Sequence, residues 1–560
     1  MDLSAGDSHV GSREPSLSFL PKEVLAAARP EVPGGPGDVS CEVLIIGAGV
    51  AGLTAAYELL KRDPNINVCV IEANDRVGGR TLATQMRVRD GATDTFDLGG
   101  QWVAHAQKEI METLSELGLE VYPDNMQGAT QVQLSGPRVR RIGSLPNIGS
   151  WWGVVQLARL YRKINSLAEQ CAPSSSSRER VERELNSFTL EAYARQYVSE
   201  GPALELVATL CRTELGCEAS RVGLVEFLSE TQSAGGLSGT MSAQELKVKG
   251  GTQQISELLA DRIGRHRLYL RHPVTDITER QDGGVSVTTA AGNLFHCQRV
   301  ICAIPVVQLP WIRFDPPLSP PKREIIRSAN TGHLIKFIVT FEQAFWRESG
   351  LSGATISSGG GQPEGPVSAV VDATTYKGSP ALVGFISGRF SLHWQSRTKE
   401  ERENAVISHL VAFFGQDVNH YIEYQEKVWS EERYGGGAPG CSFGPGLTSL
   451  MPELTKPHGS VSFCGADIAS KWPGYMCGAV ITGRLRALET LYALRPGALS
   501  PTDLERIGKR RPARCRPVPG STLMWDSTLG LAIRPFVVLF LVMLQRRFLG
   551  GGIAAFGVDF

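Results

Sequence analysis

CEVLIIGAGVAGLTAAYELLKR, residues 41–62, followed by VCVIEANDRVGGRT, residues 68–81, decides how this chain reads. Four apolar residues, Val43 to Ile46, run straight into Gly47-x-Gly49-x-x-Gly52. A helical pattern follows, and a second apolar run ends at Glu72. Strand, glycine turn, helix, strand and acid, in that order, make a dinucleotide-binding βαβ unit. Gly47 permits the tight turn, Gly49 lets the backbone approach a pyrophosphate, and Gly52 lets helix and strand pack closely. The helix N-terminus offers free N–H groups and a positive dipole end to phosphates. Glu72 falls about 20 residues past Gly52, where a carboxylate accepts hydrogen bonds from ribose hydroxyls.

The continuation narrows the cofactor. Arg76-x-Gly78-Gly79-Arg80-Thr81 puts a glycine pair beside two arginines, which suits a second backbone approach to a pyrophosphate with cationic donors around it. This resembles the FAD-binding signature of the flavin amine oxidase superfamily; the plainer alternative is a basic glycine turn. Asp97-Leu98-Gly99-Gly100-Gln101-Trp102 resembles that family's next cofactor loop, against the alternative of an ordinary turn.

Composition sets the outer limits. The 560 residues allow two or three intermixed domains and a large core. Hydrophobic content of 42% and charged content of 20% are those of a globular protein. A net charge of zero gives no global field to draw nucleic acid. The 11 cysteines are scattered, with no C-x-x-C and no zinc spacing, so no metal site is expected. There is no N-terminal signal core and no N-x-S/T sequon, which favours a reducing, intracellular compartment with free thiols. Residues 1–40, rich in Pro, Gly and Ser, read as disordered, and Glu14, Glu23 and Glu31 argue against a transit peptide.

Between Ser144 and Leu246 apolar residues recur at i, i+3 and i+4, predicting a helical insertion that covers a cavity, with CAPSSSSRER as a loop. Strand patterning returns at Lys247, with a glycine turn and helix, then a small meander through VTDITER, GVSVTTAAG and LFHCQRVICAIP. HLIKFIVTF reads as a strand and Asn404–Phe414 as a helix. The strand Val461–Phe463 leads through a glycine turn to a helix from about Gly478, whose N-terminus can face a flavin carbonyl or a phosphate.

WSEERYGGG (429–437) and GADIASKWPGYMCGA (465–479) complete the set. From residue 41 to 492 the chain resembles a flavin monoamine oxidase. That resemblance implies an α/β fold: a Rossmann-like FAD-binding domain with an inserted α+β substrate domain, the p-hydroxybenzoate-hydroxylase-like two-domain architecture. The FAD domain is assigned to 41–118, 247–325 and 426–492, and the substrate domain to 119–246 and 326–425. The implied reaction is oxidation of a primary or secondary amine to an imine, then aldehyde, with O2 reduced to hydrogen peroxide. Polyamine oxidases, L-amino-acid oxidases and histone demethylases share much of the pattern. A catalytically weak FAD-binding protein that acts through partners is the reading from another class.

Residue roles carry over position by position. Lys336 matches the active-site lysine that holds a water against flavin N5, and a lysine inside LIKFIVTF is costly unless functional or paired. Its alternative is an edge-strand lysine facing solvent. Tyr475 matches one wall of an aromatic cage that suits an amine through its ring face, against a core tyrosine. Trp429 and Trp472 match residues packed on the flavin, against ordinary core packing. Val274 matches a backbone clasp on the adenine, and Gly465, Asp467 and Met476 fall in the closing cofactor segment.

Two departures stand out. Where the mammalian-type enzymes carry a flavin-linking cysteine followed by the second cage tyrosine, this chain has Ala438 and Pro439. Cys441 falls three positions later, so the FAD is expected to be non-covalent. The C-terminal tail, 493–560, carries the basic run Lys509–Arg516 and an apolar stretch from Leu529 to Leu544 broken by Arg534. It reads as a membrane anchor, of the outer mitochondrial membrane by resemblance, or as an interfacial or core-docked tail on a cytoplasmic protein. The choice of amine and the presence of a homodimer stay open at this level.

Overall fold

The computed structural model describes residues 37–142, 148–199, 201–359 and 365–508. The N-terminal segment and the C-terminal basic and apolar tail lie outside the described residues, apart from the strand Asp38–Ser40. That strand corrects the expectation for residues 1–40: it pairs in parallel with Leu294–Cys297 at the sheet edge, so its backbone groups are satisfied by a ladder.

The strands legible at the N-terminus form the middle of a five-stranded parallel sheet. Its order is Leu268–Tyr269, Val68–Ile71, Val43–Ile46, Arg299–Cys302 and Val461–Phe463. Alternation sends the two faces of these strands into different cores. Val43, Ile45, Val68 and Val70 pack under the helices Val50–Arg62, Gln253–Ile263 and Met476–Leu494. Leu44, Ile46, Cys69 and Ile71 pack against the meander Val274–Glu279, Val285–Thr289, Leu294–Cys297 and the strand Arg313–Asp315. Both faces are therefore covered, as a parallel sheet requires.

A second sheet of seven strands runs in the order Tyr421–Val428, Leu334–Phe341, Ala381–Ser387, Ala369–Asp372, Leu351–Ser357, Ala129–Gln133, Val139–Ile142. One face holds Ile335, Phe337, Val339 and Phe341 against the helix Lys399–Phe414. The other face, with Leu334 and Ile338, meets the helical insertion Trp151–Gln170, Pro202–Leu215 and Leu224–Ser233. The expected loop 171–180 is shorter than the sequence suggested, because Arg178 already begins the helix Arg178–Leu185. Val181 supplies its one buried side chain. Among the described residues no helix is long and apolar enough to cross a membrane.

Candidate active site

The glycine turn is locked by the chain around it. Gly47, at φ +103°, donates its amide to the Ile71 carbonyl at 2.7 Å. A Cβ on Gly52 would stand 2.0 Å from the Gly47 oxygen, so only glycine lets the helix seat against the turn. Gly49 precedes the helix Val50–Arg62 with no side chain capping it, leaving that N-terminus open for a ligand. Beside it Glu72 is buried. One of its oxygens accepts from the Ala48 amide at 2.7 Å, the other from the Asn74 amide at 2.9 Å and the Asn74 side chain at 3.1 Å. Burial raises the Glu72 carboxyl, and these N–H bonds oppose the rise.

These residues line one end of a single cavity of about 1330 Å³, larger than the roughly 300–1,000 Å³ of ordinary small-ligand sites. Gly47, Gly49, Glu72, Gly78, Gly79, Arg80, Gly99, Gly100, Gln101, Trp102, Val274, Lys336, Trp429, Gly465, Asp467, Trp472, Tyr475 and Met476 all line it. Gly52 and Arg76 do not. Gly52 works from behind the turn. Arg76 donates to the carbonyls of Gly79 at 2.9 Å and Thr81 at 3.2 Å, holding the glycine-pair loop in shape instead of facing the cavity. Arg80 does face it, paired with Asp467 at 2.8 Å and donating to the Pro439 carbonyl at 2.8 Å.

Lys336 settles the choice left by the sequence. Its strand is flanked on both sides, by Ala381–Ser387 and Tyr421–Val428, so it is no edge. Lys336 shares a face with Leu334 and Ile338 and is 2% exposed. Its Nζ donates to the Gly99 carbonyl at 2.8 Å and to Gln101 Oε1 at 2.5 Å, and lies 5.5 Å from the Trp102 ring and 5.7 Å from Phe385. Burial pulls the ammonium down to about 7, partly offset by Asp97. Asp97, itself raised to about 6 by burial, accepts from the Thr252 amide at 2.9 Å.

Trp429 is 1% exposed and donates its indole N–H to the Leu98 carbonyl at 3.0 Å, bracing the loop that carries Gly99 to Gln101. Trp472 and Tyr475 meet edge to face at 5.5 Å. The buried Trp472 indole N–H has no partner among the described residues. Tyr475 precedes the helix Met476–Leu494, which also lacks a side-chain cap at the end facing the cavity. Burial, then the charges of Glu214 and Glu230, hold the Tyr475 phenol well above its usual value. Ala438 and Cys441 line the same space.

The sequence reading missed two functional candidates, Glu214 and Glu230. Both line the cavity from the helical insertion. A weak signal was present: each acid has an apolar residue one turn earlier on its helix, Leu210 and Cys211 before Glu214 and Phe227 before Glu230.

The parallel sheet, the glycine turn and the buried lysine that lines the same cavity stand in a chain that matches one group of proteins along most of its length. The family model described as flavin containing amine oxidoreductase matches residues 50–490. The chain belongs to this family. Amine oxidase [flavin-containing] A of Sus scrofa is 31% identical over 470 residues, covering 83% of this chain and 87% of that protein. A probable flavin-containing monoamine oxidase A of Dictyostelium discoideum is 30% identical over 451 residues, covering 79% and 95%. Among solved structures, putrescine oxidase bound to putrescine superposes with a TM-score of 0.74 at 27% identity, covering 81% of this chain and all of that one. Cyclohexylamine oxidase from Brevibacterium oxydans gives 0.73 at 26%, covering 81% and 99%. The protein is an FAD-dependent amine oxidase.

Proposed function

We propose that FAD lies non-covalently along the cavity, from the Gly47–Gly49 turn to Lys336, and that the amine is oxidised between Lys336 and Tyr475. The observation that carries this is Lys336 itself: a buried cation, on a central strand, in the same cavity as an uncapped dinucleotide turn. The residues suit the group. Uncapped helix N-termini at Gly49 and Met476 can receive phosphate or carbonyl oxygens, and the Trp472 N–H is a spare donor. When bound, FAD supplies the acceptor for a hydride equivalent from the carbon beside nitrogen and returns the electrons to O2.

The chain supplies placement and proton handling. Glu72 and Val274 stand at the adenosine end, and Gly78, Gly79 and Arg80 near the pyrophosphate. Asp467, Gly465 and Met476 stand along the linker, and Gly99 to Trp102, Trp429 and Trp472 around the ring. Lys336, lowered towards 7, can hold a water through its amine and exchange a proton with it near neutral pH. Tyr475, kept protonated, presents its ring to the amine. This placement supports a partition into FAD segments 41–118, 247–325 and 426–492 and substrate segments 119–246 and 326–425, with the second-sheet strand Tyr421–Val428 crossing the boundary at 425/426.

Non-covalent attachment follows from Ala438, which has no nucleophile, and from Cys441. Burial, then the Asp467 charge, raises the Cys441 thiol well above its usual value, which makes it a poor thiolate. Acid precipitation should leave yellow flavin in the supernatant; flavin trapped in the pellet would refute the attachment. Amine-dependent peroxide production, lost in Lys336→Met, tests the reaction site. The tail beyond residue 508 is our proposed membrane-attachment element. Truncation there keeps the helix Pro501–Arg506 and its Arg62–Asp503 ion pair, and should release the protein from the membrane pellet.

A further inference from the structure

We infer that the cavity contains a second cation site, formed by Glu230 with Glu214, and that the substrate is a diamine with one nitrogen oxidised and the other held by these carboxylates. This rests on the amine-oxidase reading above and goes beyond it in naming the substrate class.

The argument begins with which acids are already satisfied. Several carboxylates line the cavity. Glu218 pairs with Arg212 at 3.1 Å, Asp467 with Arg80 at 2.8 Å, and Glu432 with Lys427 and with Arg76. Glu72 is held by amides. Glu230 differs: among the described residues no donor and no cation contacts its carboxylate, although protein encloses it. Glu214 accepts a single hydrogen bond, from Gln244 Nε2 at 3.1 Å. Enclosed carboxylates are normally paired, so this one asks for a ligand.

Its surroundings say what ligand. Glu226, one turn earlier on the same helix, accepts from the Phe443 amide at 2.7 Å, and burial, then the Glu230 charge, holds its carboxyl well above the usual range, so it brings no cation to the site. Asp467 acts on Glu230 from the closing segment, and the arginine nearest that segment, Arg80, is already bound to Asp467. Tyr475 and the Cys441 thiol also feel this group, and neither is a cation. Burial first, then Asp467, pushes Glu230 up to about 8, and burial pushes Glu214 up to about 7. An arriving ammonium reverses that: the carboxyl releases its proton to solvent and the ion pair forms in its place.

A monoamine uses its only nitrogen at the oxidation site and would lay an apolar tail on these acids, which is unfavourable. A diamine places a cation there. Glu214, Glu230, Tyr475 and Lys336 line one cavity, so a diamine of matching length can present one nitrogen to the acids and the other to the oxidation site.

The test uses the full chain loaded with FAD. Anaerobic flavin reduction is measured with α,ω-diamines of three to six carbons. Each is compared with the monoamine in which a terminal methyl replaces the second ammonium. At pH 8 the best diamine should exceed its isostere at least about tenfold in kcat/KM. That ratio should fall about ten- to hundredfold in Glu230→Gln and further in Glu230→Gln/Glu214→Gln, the size expected for losing a charge-assisted hydrogen bond. Glu230→Asp should retain part of the ratio, and the flavin spectrum of each variant reports its folding. A wild type without diamine preference overturns the inference. So does a Glu230→Gln that slows both amines equally, because the acid would then act on the shared nitrogen. If monoamines reduce the flavin and the second charge is ignored, only the cation site falls. If no amine reduces it, the amine-oxidase reading falls as well.

Discussion

Gly49 and Gly52 stand in one glycine pattern, yet the structure assigns them opposite kinds of work, and alanine at each separates the two. At Gly52 the added Cβ would lie 2.0 Å from the Gly47 oxygen and 3.2 Å from Ala303 Cβ. Carbon contacts settle near 3.5–4.0 Å, so the turn or the helix must move by more than about 1 Å. Gly47 resists, because its φ of +103° and its 2.7 Å bond to Ile71 fix it. Overpacking costs about 1–3 kcal/mol, and a weakened backbone hydrogen bond adds about 1 kcal/mol. Gly52→Ala should thus destabilise the FAD-free protein by about 2–4 kcal/mol.

At Gly49 the backbone sits at φ −76°, ψ 178°, which any residue adopts, and the nearest atom to a new Cβ is the Gly78 oxygen at 4.0 Å. The FAD-free protein should keep its stability or gain up to about 1 kcal/mol from a stiffer unfolded chain. The methyl would instead project at the cavity wall where a pyrophosphate is placed, weakening FAD at least about tenfold, or about 1.4 kcal/mol. Urea unfolding of both FAD-free variants, followed by FAD titration with flavin-fluorescence quenching, reads the two effects separately. Gly49→Ala that unfolds as early as Gly52→Ala, or that binds FAD like wild type, would refute the reasoning.

Lys336→Met should keep FAD bound while amine-driven flavin reduction drops about 10²–10⁴-fold, the usual weight of a positioned proton carrier. In wild type that rate should rise with pH through about 7, as the Lys336 ammonium loses its proton, and stopped-flow traces of the variant should lack this step. Without amine, Glu214 and Glu230 should make the protein less stable as pH rises. Their folded values of about 7 and about 8 exceed the ordinary 4.5, so the folded chain keeps protons that the unfolded chain releases. That contribution is full below pH 4.5 and gone by about 8, and Glu214→Gln/Glu230→Gln should flatten the denaturation midpoint across this window. Trp429→Phe leaves the Leu98 carbonyl without its donor and should cost about 1–3 kcal/mol in thermal unfolding, with a weaker grip on FAD.

The sequence by itself determined the nucleotide half of this protein. Strand, glycine turn and helix are local: the φ demanded at Gly47, the apolar period of Val43–Ile46 and the amphipathic run after Gly49 are written within a few residues of one another. It also supplied the identity of the lysine, but not its setting. A lysine in an apolar strand reads equally as a solvent-facing edge. Only the pairing of Leu334–Phe341 between Ala381–Ser387 and Tyr421–Val428 buried it over Gly99 and Gln101, which lie more than 200 positions away. Arg76, placed by pattern among the cofactor's donors, was turned by the folded loop towards its own carbonyls. Glu214 and Glu230 carry no motif. They became cavity residues because two insertion helices pack over the second sheet and aim their acid-bearing stripes inward. Local backbone sterics are encoded nearby in the chain, whereas burial and charge environment depend on segments that meet only when the core closes.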